Sequence, residues 1–483
     1  MMCRLATKSS LALSLALFSA ACGAPSARGP GGAASPESAD DQVTVVAITP
    51  PPPTSTVARA PDAAEEAPAL AIPTAGGSWP VFHGDIGRTG LSGAPSVRSP
   101  VIQWRTKVGI QGWLSSPVIA GGLVLIPSAG EKHNEPDPKD GLHALELRTG
   151  RAVWHAHFNN DANGAAVASD RAIATSDDGH IYAIALQTGK VLWTQRGDGK
   201  VYTAPLVLVD QVIAGDAGGN LRAFGVADGA ALWSVKLSGE IRGGASADDS
   251  MIYAVSTGGE AVAVTREGKQ VWRRTVTRPA YGSGAPTAIQ AYAAPVVTGS
   301  ALIIPFARDT SYESPALVAL DKKTGRPKWK AQTLRSETWG NIRSTPALTE
   351  QGLLVYAEPY SGDVVGVDSR DGAVRFRRTV GPCFFPQWAS PAATSDLVYV
   401  PRFDGALYAL QADSGKLAWQ LYLGDERRTG PNLPSAHRAQ VACNWEVPAG
   451  SPIFSPPAIA EDGMIILGTG EGFVFGIADG TAK

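Results

Sequence analysis

The sequence predicts an all-β chain, folded as an eight-bladed β-propeller with four-stranded antiparallel blades. Three observations carry that prediction. First, Gly-x-x-x-Trp or its Phe variant recurs at seven repeat positions, ending at Trp154, Trp193, Trp233, Trp272, Trp329, Phe376 and Trp419. Second, these motifs recur at roughly 40-residue spacing with longer insertions in places, a period typical of propeller blades and solenoid repeats. Third, the pattern is incomplete at both ends in a complementary way: Trp104 has no such glycine before it, and Gly480 has no aromatic after it. An orphan aromatic at one end and an orphan glycine at the other indicate a closed ring.

Each repeat reads as four pieces. A start such as Ser116-Pro117-Val118, Ala204-Pro205-Leu206, Ala294-Pro295-Val296, Thr345-Pro346-Ala347 or Ser390-Pro391-Ala392 leads into an apolar run such as Leu123–Ile126 or Leu397–Val400. A second run follows, at His180–Ile184 and Ala406–Leu410 for example, then a glycine turn and the aromatic strand. Short β-rich runs punctuated by Gly and Asp mark antiparallel sheets, and four per repeat make one blade. Blades begin near residues 114, 163, 202, 242, 292, 343, 388 and 454. The last has only three strands of its own, so residues 101–108 are expected to complete it and leave no open ring edge. Trp104, Trp154, Trp193, Trp233, Trp272, Trp329, Phe376 and Trp419 then read as wedges between blades, because one large aromatic recurs at one structural position.

The Gly-x-x-x-Trp spacing, the Ser-Pro-Val starts and the segment Trp79-Pro80-Val81-Phe82-His83-Gly84-Asp85 with Arg88-Thr89-Gly90 resemble the PQQ-like propeller repeat family. The resemblance covers residues 78–483. Its members include quinoprotein dehydrogenases and BamB, the propeller lipoprotein of the outer-membrane β-barrel assembly machinery, so it implies the fold and leaves function to the sites.

Residues 1–21 have the regions of a secretory signal: Arg4 and Lys8, an apolar run from Leu11 to Phe18, then Ser19-Ala20-Ala21-Cys22. The apolar run is too short to span a bilayer. The last four residues are similar to a bacterial lipobox, with Ser19 where Leu is usual, and Cys22 is the lipidated residue this implies; secretion after the same alanine is the alternative. By the same resemblance Gly23 points to the outer membrane, on its periplasmic side or at the cell surface. Residues 22–77, rich in Ala, Pro, Ser and Gly with Pro50–Pro53 in a row, read as the lipidated cysteine and a disordered tether.

A formal net charge of −2 with interspersed signs gives no electrostatic footprint for nucleic acid. Of the cysteines, Cys383 and Cys443 lie in connections on one face of the ring, and an oxidising compartment allows either a disulfide or two thiols there.

Aligning the eight blade starts puts Leu114, Asn163, Tyr202, Arg242, Tyr292, Arg343, Trp388 and Phe454 at one position, expected to ring the mouth of the central channel. Of these, Tyr202, Arg242, Tyr292, Arg343, Trp388 and Phe454 form the candidate ligand site. Arginines among aromatics suit an anionic, planar or peptide ligand; a plug of bulky side chains is the competing use of the same positions.

Resemblance to the quinoprotein members implies pyrroloquinoline quinone (PQQ) with a divalent metal at such a mouth. The chain lacks the adjacent cysteine pair that often stacks that cofactor, but Trp339-Gly340-Asn341-Ile342-Arg343 and Asn444-Trp445-Glu446 supply oxygen ligands suited to calcium. Weaker patterns are His155 and His157, which alternate on an outer strand without a third ligand, and Glu135, Asp137 and Asp140, which read as a solvated acidic turn without calcium-loop spacing. Gly468-x-Gly470-x-Gly472 has no following helix, and no Gly-x-Ser-x-Gly, phosphate-loop or zinc-protease motif is present.

The sequence therefore points to an envelope-anchored binding scaffold without catalytic residues or cofactor. Its expected partners are envelope proteins or unfolded outer-membrane clients, and it meets the membrane through a lipid alone. The loops Glu131–Gly141 and Ala307–Pro315 are candidate contacts. A PQQ- and calcium-dependent dehydrogenase is the alternative.

Overall fold

The computed structural model describes residues 44–47, 79–111, 115–278, 287–288, 290–306, 315–333, 343–358, 363–380, 389–402, 405–423 and 452–480. Within them the chain is an eight-bladed propeller, each blade a meander of four antiparallel strands. Blade one comprises Val118–Ala120, Leu123–Ala129, Asp140–Glu146 and Ala152–His157. Blade eight combines Ala458–Ile459, Ile465–Gly468 and Phe473–Asp479 with Pro100–Lys107, so a strand from before blade one completes the last blade. No helix among the described residues is long and apolar enough to cross a membrane.

The second strands are buried along their whole length: Leu123–Ala129, Gln211–Gly215, Ala301–Pro305, Leu353–Ala357 and Leu397–Pro401 show no exposed residue. Each is covered on both faces by neighbouring blades, so it reads as a continuous apolar run rather than an alternating one. Outer strands alternate instead, as in Val191–Arg196 and Ala231–Lys236.

The outer strands share an irregularity. In every blade the register slips by one residue beside the aromatic: Gln103, Val153, Leu192, Leu232, Val271, Lys328, Arg375 and Ala418 are each skipped in the pairing with the third strand. Such a bulge leaves the extra residue unpaired and bends the strand. Val153, Leu192, Leu232 and Val271 consequently stand 41–49% exposed on the outer wall.

The following residue packs against the next blade. Trp154 Nε1 donates to Leu186 O at 2.9 Å, Trp193 to Val226 O at 3.0 Å and Trp233 to Arg266 O at 2.8 Å. The same rings lie against Gly189, Gly229 and Gly268, where a Cβ would come within 2.5–2.8 Å of them. The glycine of each Gly-x-x-x-Trp motif therefore receives the previous blade's aromatic, while its own tryptophan serves the next blade. Trp104 closes the ring in this way, donating to Leu147 O at 3.0 Å and lying under Gly150.

Within the stretch assigned to the tether, Thr44–Ala47 forms a strand on the outer edge of blade four.

Candidate functional site

One end of the central channel is closed by the lead-in segment from Trp79 to Ser92. The innermost strand of each blade presents backbone groups to the channel, and this segment takes them up one after another. Ile119 N–H donates to Trp79 O at 2.8 Å, Val167 to Pro80 O at 2.7 Å, Ala247 to Ile86 O at 2.7 Å and Val297 to Gly87 O at 2.8 Å. Leu348 and Ala393 donate to Thr89 O and Gly90 O, both at 2.7 Å. Six of the eight blades are thus stitched to one strand of chain.

The segment is held by two buried polar side chains. Arg88, fully buried, donates through Nε to Ala245 O at 3.0 Å, through Nη1 to Phe82 O at 2.8 Å and through Nη2 to Pro205 O at 3.1 Å, the last bringing in blade three. Burial lowers its pKa to about 10, opposed by Asp85, so the guanidinium stays charged at neutral pH. His83 lies between the carbonyl oxygens of Arg88 and Pro391, each 2.7 Å from a ring nitrogen. Burial lowers its pKa despite both oxygens; a neutral ring donates to one of them. Phe82 packs with Ala204 and Ala294, each two residues along from a mouth tyrosine, and so forms the floor under that mouth.

Above the floor, the structure brings four of the aligned residues together. Arg242 lies with its guanidinium carbon 4.5 Å from the Tyr202 ring centroid and 5.5 Å from that of Tyr292. Arg343 lies 4.7 Å from the Tyr292 centroid. Tyr202, Arg242, Tyr292 and Arg343 thus alternate across blades three to six, each partly exposed. Crowding at the axis makes this possible: a Cβ on Gly243, next to Arg242, would come within 2.1 Å of the Ala293 carbonyl carbon.

The arc extends into blade two. Lys200 Nζ is 5.9 Å from the Tyr202 centroid and donates to Asp177 Oδ2 at 2.6 Å, while Asn163 Nδ2 donates to Asp177 Oδ1 at 2.8 Å. Glu240 accepts from Arg242 Nε. Burial works against the charges of Lys200 and Arg242, but bonds to Asp177 and Glu240 raise both pKa values on balance, and burial raises that of Tyr202. The mouth is therefore a cationic and aromatic arc. Lys200 and Glu240 escaped the sequence reading although each lies two positions before an aligned residue, on the same side of an extended chain. Phe454 packs against Gly470 within blade eight.

Leu114, Trp388, Cys22, Cys383, Cys443, Asn341 and Asn444–Glu446 lie outside the described residues, as does most of the loop 307–315. The loop Glu131–Gly141 organises itself around Asp137, which accepts from the backbone N–H groups of Glu131, Lys132 and Lys139. Asp140 is fully buried rather than part of a solvated turn, and Oδ2 accepts from Asp137 N–H at 2.9 Å. His155 has a neighbour the sequence did not reveal: His143, opposite it in register, stacks at 3.9 Å between centroids and 11° between planes. Parallel rings cannot share one in-plane metal, and no group of three His, Cys, Asp or Glu among the described residues could hold one.

Comparison with known proteins finds the family described as outer membrane protein assembly factor BamB matching at residues 138–304 and 217–383, together half of the chain. The outer membrane protein assembly factor BamB of Shewanella oneidensis is 23% identical over 298 residues, 58% of this chain and 71% of that protein. A polyvinylalcohol dehydrogenase of Sphingopyxis sp. is 26% identical over 352 residues, 59% of this chain and 48% of the enzyme. Among solved structures, BamB from Moraxella catarrhalis superposes with a TM-score of 0.55 at 15% identity, covering 78% of this chain and 99% of that one. That last likeness speaks to the fold alone.

Proposed function

This chain belongs to the PQQ-like propeller family of the outer membrane protein assembly factor BamB, and from that premise we propose that it is a non-catalytic protein-binding scaffold of the bacterial envelope. On this reading Cys22 carries the lipid that holds it at the outer membrane, and its partners are assembly components or unfolded outer-membrane clients. The observation that carries the proposal is the mouth. Tyr and Arg dominate the few residues that supply most binding energy at protein interfaces. Here Tyr202, Arg242, Tyr292 and Arg343 form a partly exposed arc of those residue types over the closed floor at Phe82. Because the arginines are already stacked, little side-chain freedom remains to be lost when a partner binds.

A second reading, a PQQ- and calcium-dependent dehydrogenase, is favoured by the likeness to polyvinylalcohol dehydrogenase. The fit of the described residues to that cofactor is partial. Arg242 and Arg343 suit its carboxylates. The Tyr292 ring, however, already has two guanidinium groups against it, at 5.5 and 4.7 Å. The carboxylates of the described arc, Glu240 and Asp177, are taken by Arg242 and Lys200.

The test is binding of a urea-diluted outer-membrane β-barrel client to the full chain, alongside titration with PQQ and calcium followed by tryptophan fluorescence and dye reduction. Saturable client binding that Arg343→Ala weakens is the expected result. PQQ-dependent dye reduction without client binding would replace the scaffold by the dehydrogenase.

A further inference from the structure

Residues 42–49, Gln-Val-Thr-Val-Val-Ala-Ile-Thr, break the composition around them: six of the eight are β-branched, and they sit between Asp40-Asp41 and Pro50–Pro53. Such a run has high strand propensity, and the prolines that follow cannot extend a ladder. The structure gives this run a partner. Thr44–Ala47 pairs antiparallel with the outer strand of blade four, in the register Thr44 with Thr277, Val45 with Val276, Val46 with Thr275 and Ala47 with Arg274.

Blade four is suited to accept it. Its outer strand, Gln270–Arg278, has nine residues, against six to eight in the other blades. It overruns its inner neighbour, whose pairing ends at Thr275, and Thr287–Ala288 pairs with the overhang at Thr277 and Arg278. Val276, within that overhang, is fully buried. Among the described residues, this outer strand alone carries a further strand on its free edge.

We infer that the outer edge of blade four is a strand-docking site which the chain fills with its own Thr44–Ala47, latching the tether to the propeller wall. The inference is independent of which partner the mouth receives. Docking gives an otherwise open strand edge its hydrogen-bond partners, which guards against edge-to-edge association. It also changes the tether. With the latch closed, 21 residues separate Cys22 from the docked strand, where 56 separate it from Trp79. For a flexible chain that is a reach of about 25 Å instead of about 40 Å. Four paired residues balance a few main-chain hydrogen bonds against the entropy of ordering, so closure relies on the linker. Tethering holds the segment at an effective concentration on the order of millimolar, which an extended strand from another chain must match to take the same edge.

The test uses the full chain. Thr44→Cys with Thr277→Cys pairs residues directly opposite in register, and Thr44→Cys with Arg274→Cys is the off-register control. The expected result is an oxidative crosslink at least tenfold more abundant in the first pair, assigned by peptide mass so that the native cysteines do not confuse it. Independently, Val45→Pro with Val46→Pro should raise amide hydrogen exchange over residues 274–277 at least tenfold while the tryptophan unfolding transition stays in place. Equal crosslinking in both pairs, or unchanged exchange, would overturn the latch. Client binding at the mouth is measured separately, so either inference can fail without the other.

Discussion

The guanidinium of Arg242 lies 4.5 Å from the ring centroid of Tyr202, joining blade four to blade three across the mouth of the channel. A partly exposed stack of this kind contributes about 0.5–1 kcal/mol, small for a fold of eight blades. Its removal should therefore separate stability from binding. Arg242→Ala is expected to move the unfolding midpoint little while weakening a mouth-bound partner about 30-fold, the size of an interface hot spot. Arg242→Lys, which keeps the charge and loses the planar stack, should fall between. Equal affinity of all three proteins would remove the mouth as the contact.

Arg88 should matter in the opposite sense. Its three bonds reach the carbonyl oxygens of Phe82, Pro205 and Ala245 in a region closed to water. Arg88→Met leaves three acceptors unsatisfied, with an expected cost of about 3 kcal/mol or more. Arg88→Lys should recover only part, since one ammonium cannot span the three positions of the fork. Denaturation midpoints check the cost, and proteolysis within residues 79–97 checks its place. Wild-type resistance in both variants would mean that the backbone stitching alone holds the segment.

The blade count was legible because every blade solves the same packing problem with the same pair, a glycine and an aromatic. The mouth was legible for a related reason: equivalent positions in successive blades are spatial neighbours, so alignment alone collected Tyr202, Arg242, Tyr292 and Arg343. What escaped the sequence depends on register and long-range contact. The skipped residues Val153 and Leu192 look like ordinary strand residues until the pairing shows them bulged outward. Phe82 and Arg88 belonged to a recognisable motif, but only the fold shows them beneath Tyr202 and Tyr292. His143 lies 12 positions from His155 and meets it only because their strands pair. The strand Thr44–Ala47 was hidden by averaging: six β-branched residues vanish in the composition of a long Ala- and Pro-rich stretch.

The two roles of Gly-x-x-x-Trp can be tested at one glycine. Gly229 has φ +73°, and a Cβ there would stand 2.8 Å from Trp193 Cδ2. Gly229→Ala is expected to cost about 2 kcal/mol through backbone strain and displacement of the indole, with a shift in tryptophan emission. Gly299 has nothing within 4 Å of its Cβ position and lacks a left-handed φ. Gly299→Ala should therefore be neutral, or stabilising by about 0.5 kcal/mol through the unfolded chain. Equal effects of the two substitutions, read from unfolding midpoints, would show that the glycine position is not a wedge seat.

Two neighbours in blade one should give opposing pH dependences. Burial, with His155 alongside, lowers His143 from 6.5 to about 4, so between these values the unfolded chain binds a proton that the folded chain refuses, and stability falls as pH falls. Burial raises Asp140 from 3.8 to about 6, against the pull of its bond to Asp137 N–H, so here the folded chain holds the extra proton and stability falls as pH rises. Between pH 4 and 6 the two contributions oppose. Asp140→Asn, which can still accept from Asp137, should expose the histidine limb, with denaturation midpoints dropping more steeply from pH 6 to pH 4 than in the unaltered protein. His143→Gln should do the reverse and flatten the acid side. Parallel midpoint profiles for all three proteins over that range would mean that neither group changes its proton affinity on folding.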